Sequence, residues 1–120
     1  DGWVDWNMVL DTQGGPNWFE NWCVAPVIVD PDKDEVYFTP LYYTMAHFSK
    51  YIRPDAKVIG VDNSDDDLMV TAATNPDGTT AGVIFNETET PKSIHLSMHE
   101  RSVEFSIDAQ AIQTIVIPSK

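Results

Sequence analysis

Leu68-Met69-Val70-Thr71-Ala72-Ala73-Thr74, then Asn75-Pro76-Asp77-Gly78, then, after Thr79, Thr80-Ala81-Gly82-Val83-Ile84-Phe85: two β-rich runs flank a turn composition, and this stretch decides the fold class. Pro76 fixes φ near −65°, Gly78 is free to take positive φ, and Asn75 and Asp77 can hydrogen-bond their own backbone, so residues 75–78 predict a hairpin turn. Working outward, further short runs of the same kind span Ala56–Val61, Ser93–Met98, Val103–Ile107 and Ala111–Ile117. Turn-rich segments separate them at Asn63–Asp67, Asn86–Lys92, His99–Ser102 and Asp108–Gln110. Short strands at regular spacing predict an antiparallel β-sandwich or small barrel.

Upstream the pattern changes. Thr39 as N-cap and Pro40 at the first helical position open a helix to Ile52, with Leu41, Met45, Phe48 and Ile52 as one buried stripe. Lys50 and Arg53 suit its C-terminal end and Pro54 stops it. Before it, the apolar run Pro26–Val29 ends in the turn Asp30-Pro31-Asp32, and Asp11–Asn17 reads as a loop around Gly14-Gly15-Pro16. Gly2–Leu10 is largely apolar, broken only by Asp5 and Asn7, and predicts a strand buried on both faces.

The 120 residues are the size of one domain, and 42% hydrophobic content closes one modest core. Seven basic against 19 acidic residues give a net charge of −12, which excludes binding to phosphate backbones or anionic lipid surfaces. The longest apolar run, Cys23–Val29, is interrupted by Pro26 and far shorter than the ~20 residues of a transmembrane helix. A single cysteine, Cys23, excludes an internal disulfide, and no Cys/His cluster has the spacing of a zinc site, so neither metal nor cofactor is expected. The opening Asp1-Gly2-Trp3, with no initiator Met and no leader pattern, predicts a piece of a longer chain.

All four tryptophans, Trp3, Trp6, Trp18 and Trp22, fall in the first 22 residues. Indole faces pack on the C–H faces of pyranose rings, and Trp beside Asn and Asp suits a sugar pocket, with Trp6 and Asn21 best placed; the same residues also suit a plain core. Asp5, Asp11 and Glu20 are the acids near this cluster, as candidates for glycoside chemistry, with a structural role the stronger reading for each. His47, His95 and His99 lack a neighbouring nucleophile motif and read as structural or solvated. Asp65-Asp66-Asp67 lacks the alternating ligands, Gly and Glu of a calcium loop and reads as a solvated turn; Asn86-Glu87-Thr88 fits the glycosylation acceptor pattern, a weak signal.

Gly2-Trp3-Val4-Asp5-Trp6-Asn7, Gly14-Gly15-Pro16-Asn17-Trp18, Asn21, Pro26-Val27-Ile28-Val29-Asp30 and His47-Phe48-Ser49-Lys50-Tyr51-Ile52 together resemble the C-terminal part of glycoside hydrolase family 30, in its glucosylceramidase (acid β-glucosidase) branch. The resemblance implies that residues 1–54 supply the last strand, loop and helix of a (β/α)₈ TIM barrel and residues 55–120 a β-sandwich. It implies that Trp6 and Asn21 line a glucose pocket and that Trp22 stands at its rim. It also implies a retaining β-glycosidase as the intact parent, acting on a β-glucoside or a glucosylceramide-like substrate, with both catalytic glutamates on earlier strands; no catalytic residue is expected in this chain, which alone is expected to be inactive. A secreted or extracytoplasmic location follows from the resemblance only. Trp22-Cys23-Val24-Ala25 departs from the family's more usual Phe-Val-Asp-Ser run, which bears on aglycone preference. The rival reading is a stand-alone β-sandwich that binds carbohydrate or protein without catalysis. A barrel strand expects neighbours on both sides, so the isolated chain is expected to self-associate through open edges, to pair Gly2–Leu10 with its own sheet, or to leave that segment poorly ordered.

Overall fold

The computed structural model describes residues 2–119, so the chain start at Asp1 lies outside it. Two compact units divide between Ala46 and His47.

In the first unit, β1 (Val9–Asp11), β2 (Val27–Asp30) and β3 (Glu35–Phe38) form a sheet in that order. β1 and β2 run parallel with Leu10 opposite Ile28, and β2 and β3 antiparallel with Val29 opposite Val36. Leu10 and Ala25 are its buried apolar residues. The strand expected over Gly2–Leu10 is far shorter than its apolar run, and Trp3, Val4, Trp6 and Met8 are exposed rather than buried on both faces. β1 is an edge strand: among the described residues only β2 pairs with it, and an apolar run without a second neighbour has no ladder to extend.

The sequence pattern did not reveal β3. Its four residues are all exposed, so they carry no in–out alternation. Asp30 makes the β2–β3 turn: its carboxylate accepts from the Asp32 and Lys33 N–H groups (3.2 and 3.3 Å) and meets the Lys33 ammonium at 3.0 Å. That ammonium, as hydrogen-bond donor, holds the Asp30 carboxyl below the usual carboxylate range.

The helix α1 spans Pro40–Ser49, three residues short of the expected end at Ile52. Thr39 opens it differently from the expected cap. Its hydroxyl donates to the carbonyls of Ala25 (3.2 Å) and Pro26 (3.1 Å), tying the helix start to the entry of β2 instead of satisfying a helical N–H. None of its ten residues is fully buried, so the stripe of Leu41, Met45, Phe48 and Ile52 is half-buried, because no element among the described residues closes over all of it.

The second unit is the sandwich. β4 (Lys57–Ile59), β5 (Leu68–Thr74), β6 (Thr80–Asn86) and β9 (Ala111–Ile117) form a four-stranded antiparallel sheet in the order β4-β5-β6-β9. β7 (Lys92–Met98) and β8 (Arg101–Ile107) form a separate hairpin. All six expected runs are strands. The core lies between the two sheets: Leu68 and Val70 of β5, Ile84 of β6 and Ile115 of β9 meet Ile94 of β7 and Phe105 and Ile107 of β8. β7 alternates as the pleat requires, with Ile94, Leu96 and Met98 half-buried and Ser93, His95 and Ser97 exposed.

β6 departs from alternation because both its faces are covered. Ile84 faces the β7–β8 hairpin, while Ala81 and Val83, on the other face, are also buried. On that second face His47 Nδ1 and Thr114 Oγ1 lie 2.7 Å apart, with Thr114 directly opposite Val83 in the ladder.

The hairpin turn at residues 75–78 is as expected, with Gly78 at φ 83° and Asn75 and Thr79 bonded across it (2.8 Å). Asn75 does more than turn the chain. Its amide accepts from the Arg53 N–H (2.9 Å) and donates to the Tyr51 carbonyl (2.9 Å), satisfying the backbone that leaves the helix. Asp65 and Asp67, read as a solvated turn, are instead clamped by the Lys92 ammonium at 2.9 and 2.7 Å. This hydrogen bonding holds the Asp65 carboxyl below and the Lys92 ammonium above their usual ranges.

Asn86, the first residue of the glycosylation pattern, is fully buried. Its amide nitrogen donates to the carbonyls of Thr90 (2.8 Å) and Asp108 (2.9 Å), and its oxygen accepts from the N–H and hydroxyl of Thr88. A glycan on that nitrogen is incompatible with this fold. Asn86→Ala removes the four side-chain hydrogen bonds of a fully buried residue and is expected to destabilise the chain by about 2–4 kcal/mol, read from the denaturant midpoint; an unchanged midpoint contradicts the bonding described.

Candidate functional site

The site is built by one loop after β1. Asp11, the last residue of that strand, accepts from the Gly15 N–H (2.8 Å) and the Gln13 N–H (2.9 Å) through its carboxylate. Its backbone is engaged as well, donating to the Gly15 carbonyl (2.6 Å) and accepting from the Gly14 N–H (3.0 Å). Four bonds from one residue close a tight turn, so the candidate acid Asp11 is a loop anchor. Gly14 sits at φ 84°, and a Cβ there would fall 2.5 Å from the Cys23 carbonyl oxygen, so only glycine fits. The Cys23 N–H donates to the Gly14 carbonyl (3.3 Å), which draws residues 21–23 alongside the turn.

The result is an open cleft of about 470 Å³ lined by Trp6, Asn7, Gly14, Pro16, Asn17, Trp18, Phe19 and Asn21. Trp6 and Asn21, singled out from the sequence, both line it. Trp22 is not among the lining residues; its ring rests on Gly15, within 3.1 Å of where a Cβ would stand, and it is more than half exposed. Sequence reasoning missed Asn7, Asn17, Trp18 and Phe19 as wall residues. Their neighbourhood to the Gly-rich turn was the available signal, but which side chains the turn presents depends on the Asp11 and Cys23 bonds.

Among the described residues the wall holds no charged group, in a chain with 22% charged residues. Three carboxamides offer donors and acceptors together, and indole and phenyl rings offer flat apolar faces; this set suits a neutral polyhydroxylated ring. The Asn17 amide nitrogen is buried with no hydrogen-bond partner, a spare donor in the wall. Asp5 spends its carboxylate on the Trp6 N–H (2.7 Å) and Glu20 is an exposed loop residue at φ 53°. Neither lines the cleft. Among the described residues no group of three or more His, Cys, Asp or Glu is placed to hold a metal ion. No helix among them is long and apolar enough to cross a membrane.

Residues 1–52 match the family model described as the glycosyl hydrolase family 30 TIM-barrel domain, and residues 55–115 match that of the glycosyl hydrolase family 30 beta sandwich domain. The chain is 41% identical to the lysosomal acid glucosylceramidase of Mus musculus across 71% of its own length and 17% of that protein. It is 32% identical to putative glucosylceramidase 1 of Caenorhabditis elegans across 97% of its length and 24% of that protein. Among solved structures it is similar to SrfJ from Salmonella typhimurium, with a TM-score of 0.92 at 27% identity over 97% of this chain and 26% of that one. It is likewise similar to an endo-β1,6-glucanase, with a TM-score of 0.87 at 27% identity over 96% of this chain and 26% of that one. The chain thus spans between 17% and 26% of the length of these proteins.

Gly14→Ala introduces both a positive-φ strain and a backbone clash and is expected to cost roughly 2–4 kcal/mol, measured by thermal or denaturant unfolding. Wild-type stability in that variant rejects the pinned turn.

Proposed function

The chain belongs to glycosyl hydrolase family 30, and from that premise we propose that it is the C-terminal portion of a retaining β-glycosidase that hydrolyses β-glucosidic bonds. The observation that carries this reading is the uncharged aromatic and carboxamide cleft at the C-terminal end of β1, the end at which barrel enzymes place their sites. In this reading residues 1–54 complete a barrel and residues 55–120 form its side domain. Trp6 stacks on the glucose ring, Asn21 hydrogen-bonds its hydroxyls, and Trp22 stands at the rim. The names of the relatives support a glucosylceramide-like lipid or a β-glucan as the natural substrate.

Retaining hydrolysis needs two carboxyl groups about 5–5.5 Å apart: one attacks the anomeric carbon to form a glycosyl–enzyme, the other protonates the leaving oxygen and then deprotonates the incoming water. Asp11 is committed to its loop, and Asp5 and Glu20 stand outside the cleft wall. The chemistry therefore falls to carboxylates on other strands of the barrel, and this chain supplies pocket wall and brace.

Two measurements test the proposal. A chromogenic β-glucoside given side by side to the 120-residue chain and to the longer protein is expected to be cleaved only by the latter, where Trp6→Ala lowers kcat/KM roughly tenfold or more. Cleavage by the short chain assigns the chemistry to its own acids and sinks the carry-over. The open side of β1 leads us to propose further that the isolated chain self-associates, which gel filtration reads directly; a clean monomer contradicts it.

A further inference from the structure

We infer that the Asp77-Gly78 peptide is a latent isomerisation site, kept unreacted in the folded chain by the hydroxyl of Thr79. The inference stands apart from the glycosidase reading, and the atoms that react and the atoms that restrain them all lie within residues 75–79.

An aspartate followed by glycine is especially open to this reaction, because no side chain shields the glycine nitrogen. That nitrogen attacks Cγ of the protonated aspartic acid; the N–C bond forms as a C–O bond breaks, and the amide proton leaves with the hydroxyl as water. Water then reopens the five-membered imide at either carbonyl, restoring aspartate or leaving isoaspartate, whose main chain runs through Cβ. One water is released and one consumed, so no other reactant is needed. The turn holds the reactive pair in place: Gly78 sits at φ 83°, where an L side chain is strained, and a Cβ there would stand 3.0 Å from the Ser119 side chain. Protection has to come from a neighbour.

Thr79 supplies it. Asp77 Oδ1 accepts from the Thr79 hydroxyl (2.6 Å) and from the Thr79 N–H (2.9 Å). The hydroxyl keeps its proton on Asp77 because its oxygen accepts from Asn75 Nδ2 (3.1 Å), and that amide is itself fixed by its bonds to the Tyr51 carbonyl and the Arg53 N–H. The Thr79 hydroxyl, then the Thr79 N–H, hold the Asp77 carboxyl below the usual carboxylate range, with the Arg53 charge adding a smaller pull. A carboxylate kept ionised has no hydroxyl to lose as water. On the other side the Gly78 N–H donates to the Asn75 carbonyl (2.9 Å), which occupies the nitrogen that attacks. Isomerisation adds one carbon to the main chain inside this turn. The bond from the Asn75 N–H to the Thr79 carbonyl (2.8 Å) closes the turn beside the first ladder pair, Thr74 opposite Thr80, so the reaction opens the β5–β6 hairpin at its root.

The test incubates the longer protein for weeks at neutral pH and body temperature, folded and in urea, and reads isoaspartate at residue 77 by electron-transfer mass spectrometry of the proteolytic peptide. Folded wild type is expected to accumulate it roughly tenfold or more slowly than the denatured protein. Thr79→Val, which keeps the N–H and loses the hydroxyl, is expected to raise the folded rate about threefold or more, while Thr79→Ser keeps the wild-type rate. Thr79→Ala takes the place of Thr79→Val if that variant does not fold. Val83→Ala weakens β6 at a buried position outside residues 75–79 and is expected to leave the rate near wild type, which separates the hydroxyl from general stability. Equal rates in folded and denatured wild type, a hydroxyl-free variant as slow as wild type, or Thr79→Ser or Val83→Ala as fast as that variant each overturn the lock. Absence of isoaspartate at residue 77 even in urea overturns the site itself.

Discussion

A strand covered on both faces has no solvent to fall back on, and β6 is such a strand. Every N–H and C=O of Thr80–Asn86 must be matched in the sheet, and the ladders to β5 and β9 do so residue for residue from Thr80 to Asn86. That obligation fixes the register of three strands at once. A slip by one residue would exchange Ile84, which faces the hairpin core, with Val83, which faces the opposite layer. Ala73 and Ala81, directly opposite one another in the ladder, are the small buried residues of that opposite layer.

Two asparagines hold the ends of this arrangement. Asn75 stands at the turn into β6 and also closes the backbone at Tyr51 and Arg53 behind the helix; Asn86 ends β6 and gathers the carbonyls of Thr90 and Asp108. Each carboxamide both donates and accepts, which is what a crowded junction of unpaired backbone groups requires and what no carboxylate of the same shape supplies. Along the hairpin edge the clamp of Lys92 on Asp65 and Asp67 adds a polar tie at the surface.

The sandwich was legible in the sequence because each of its strands is bounded by turn residues and its partners lie within the same chain. Residues 75–78 announced their turn through Pro76 and Gly78, and the strand runs followed. The first unit was read less well, for one physical reason: burial there was inferred from apolar content, while Trp3, Val4 and Met8 are exposed and β3 shows no alternation. The same limit applies to the helix stripe. At the site, Trp6 and Asn21 stood out by residue type. Trp18 and Phe19 did not, since their place in the wall follows from hydrogen bonds of Asp11 and a close approach at Gly14 that have no sequence period. Asp11 was read as a possible acid because chemistry and loop closure draw on the same side chain, and only the geometry separates them.

The whole cleft wall comes from residues 6–21, one continuous stretch, and none of the sandwich core cluster lies in it. Side chains on that stretch can therefore change, with β1, Leu10 and the Asp11 and Gly14 fastenings kept, without touching the core of the sandwich, so the cleft and the sandwich are open to separate revision.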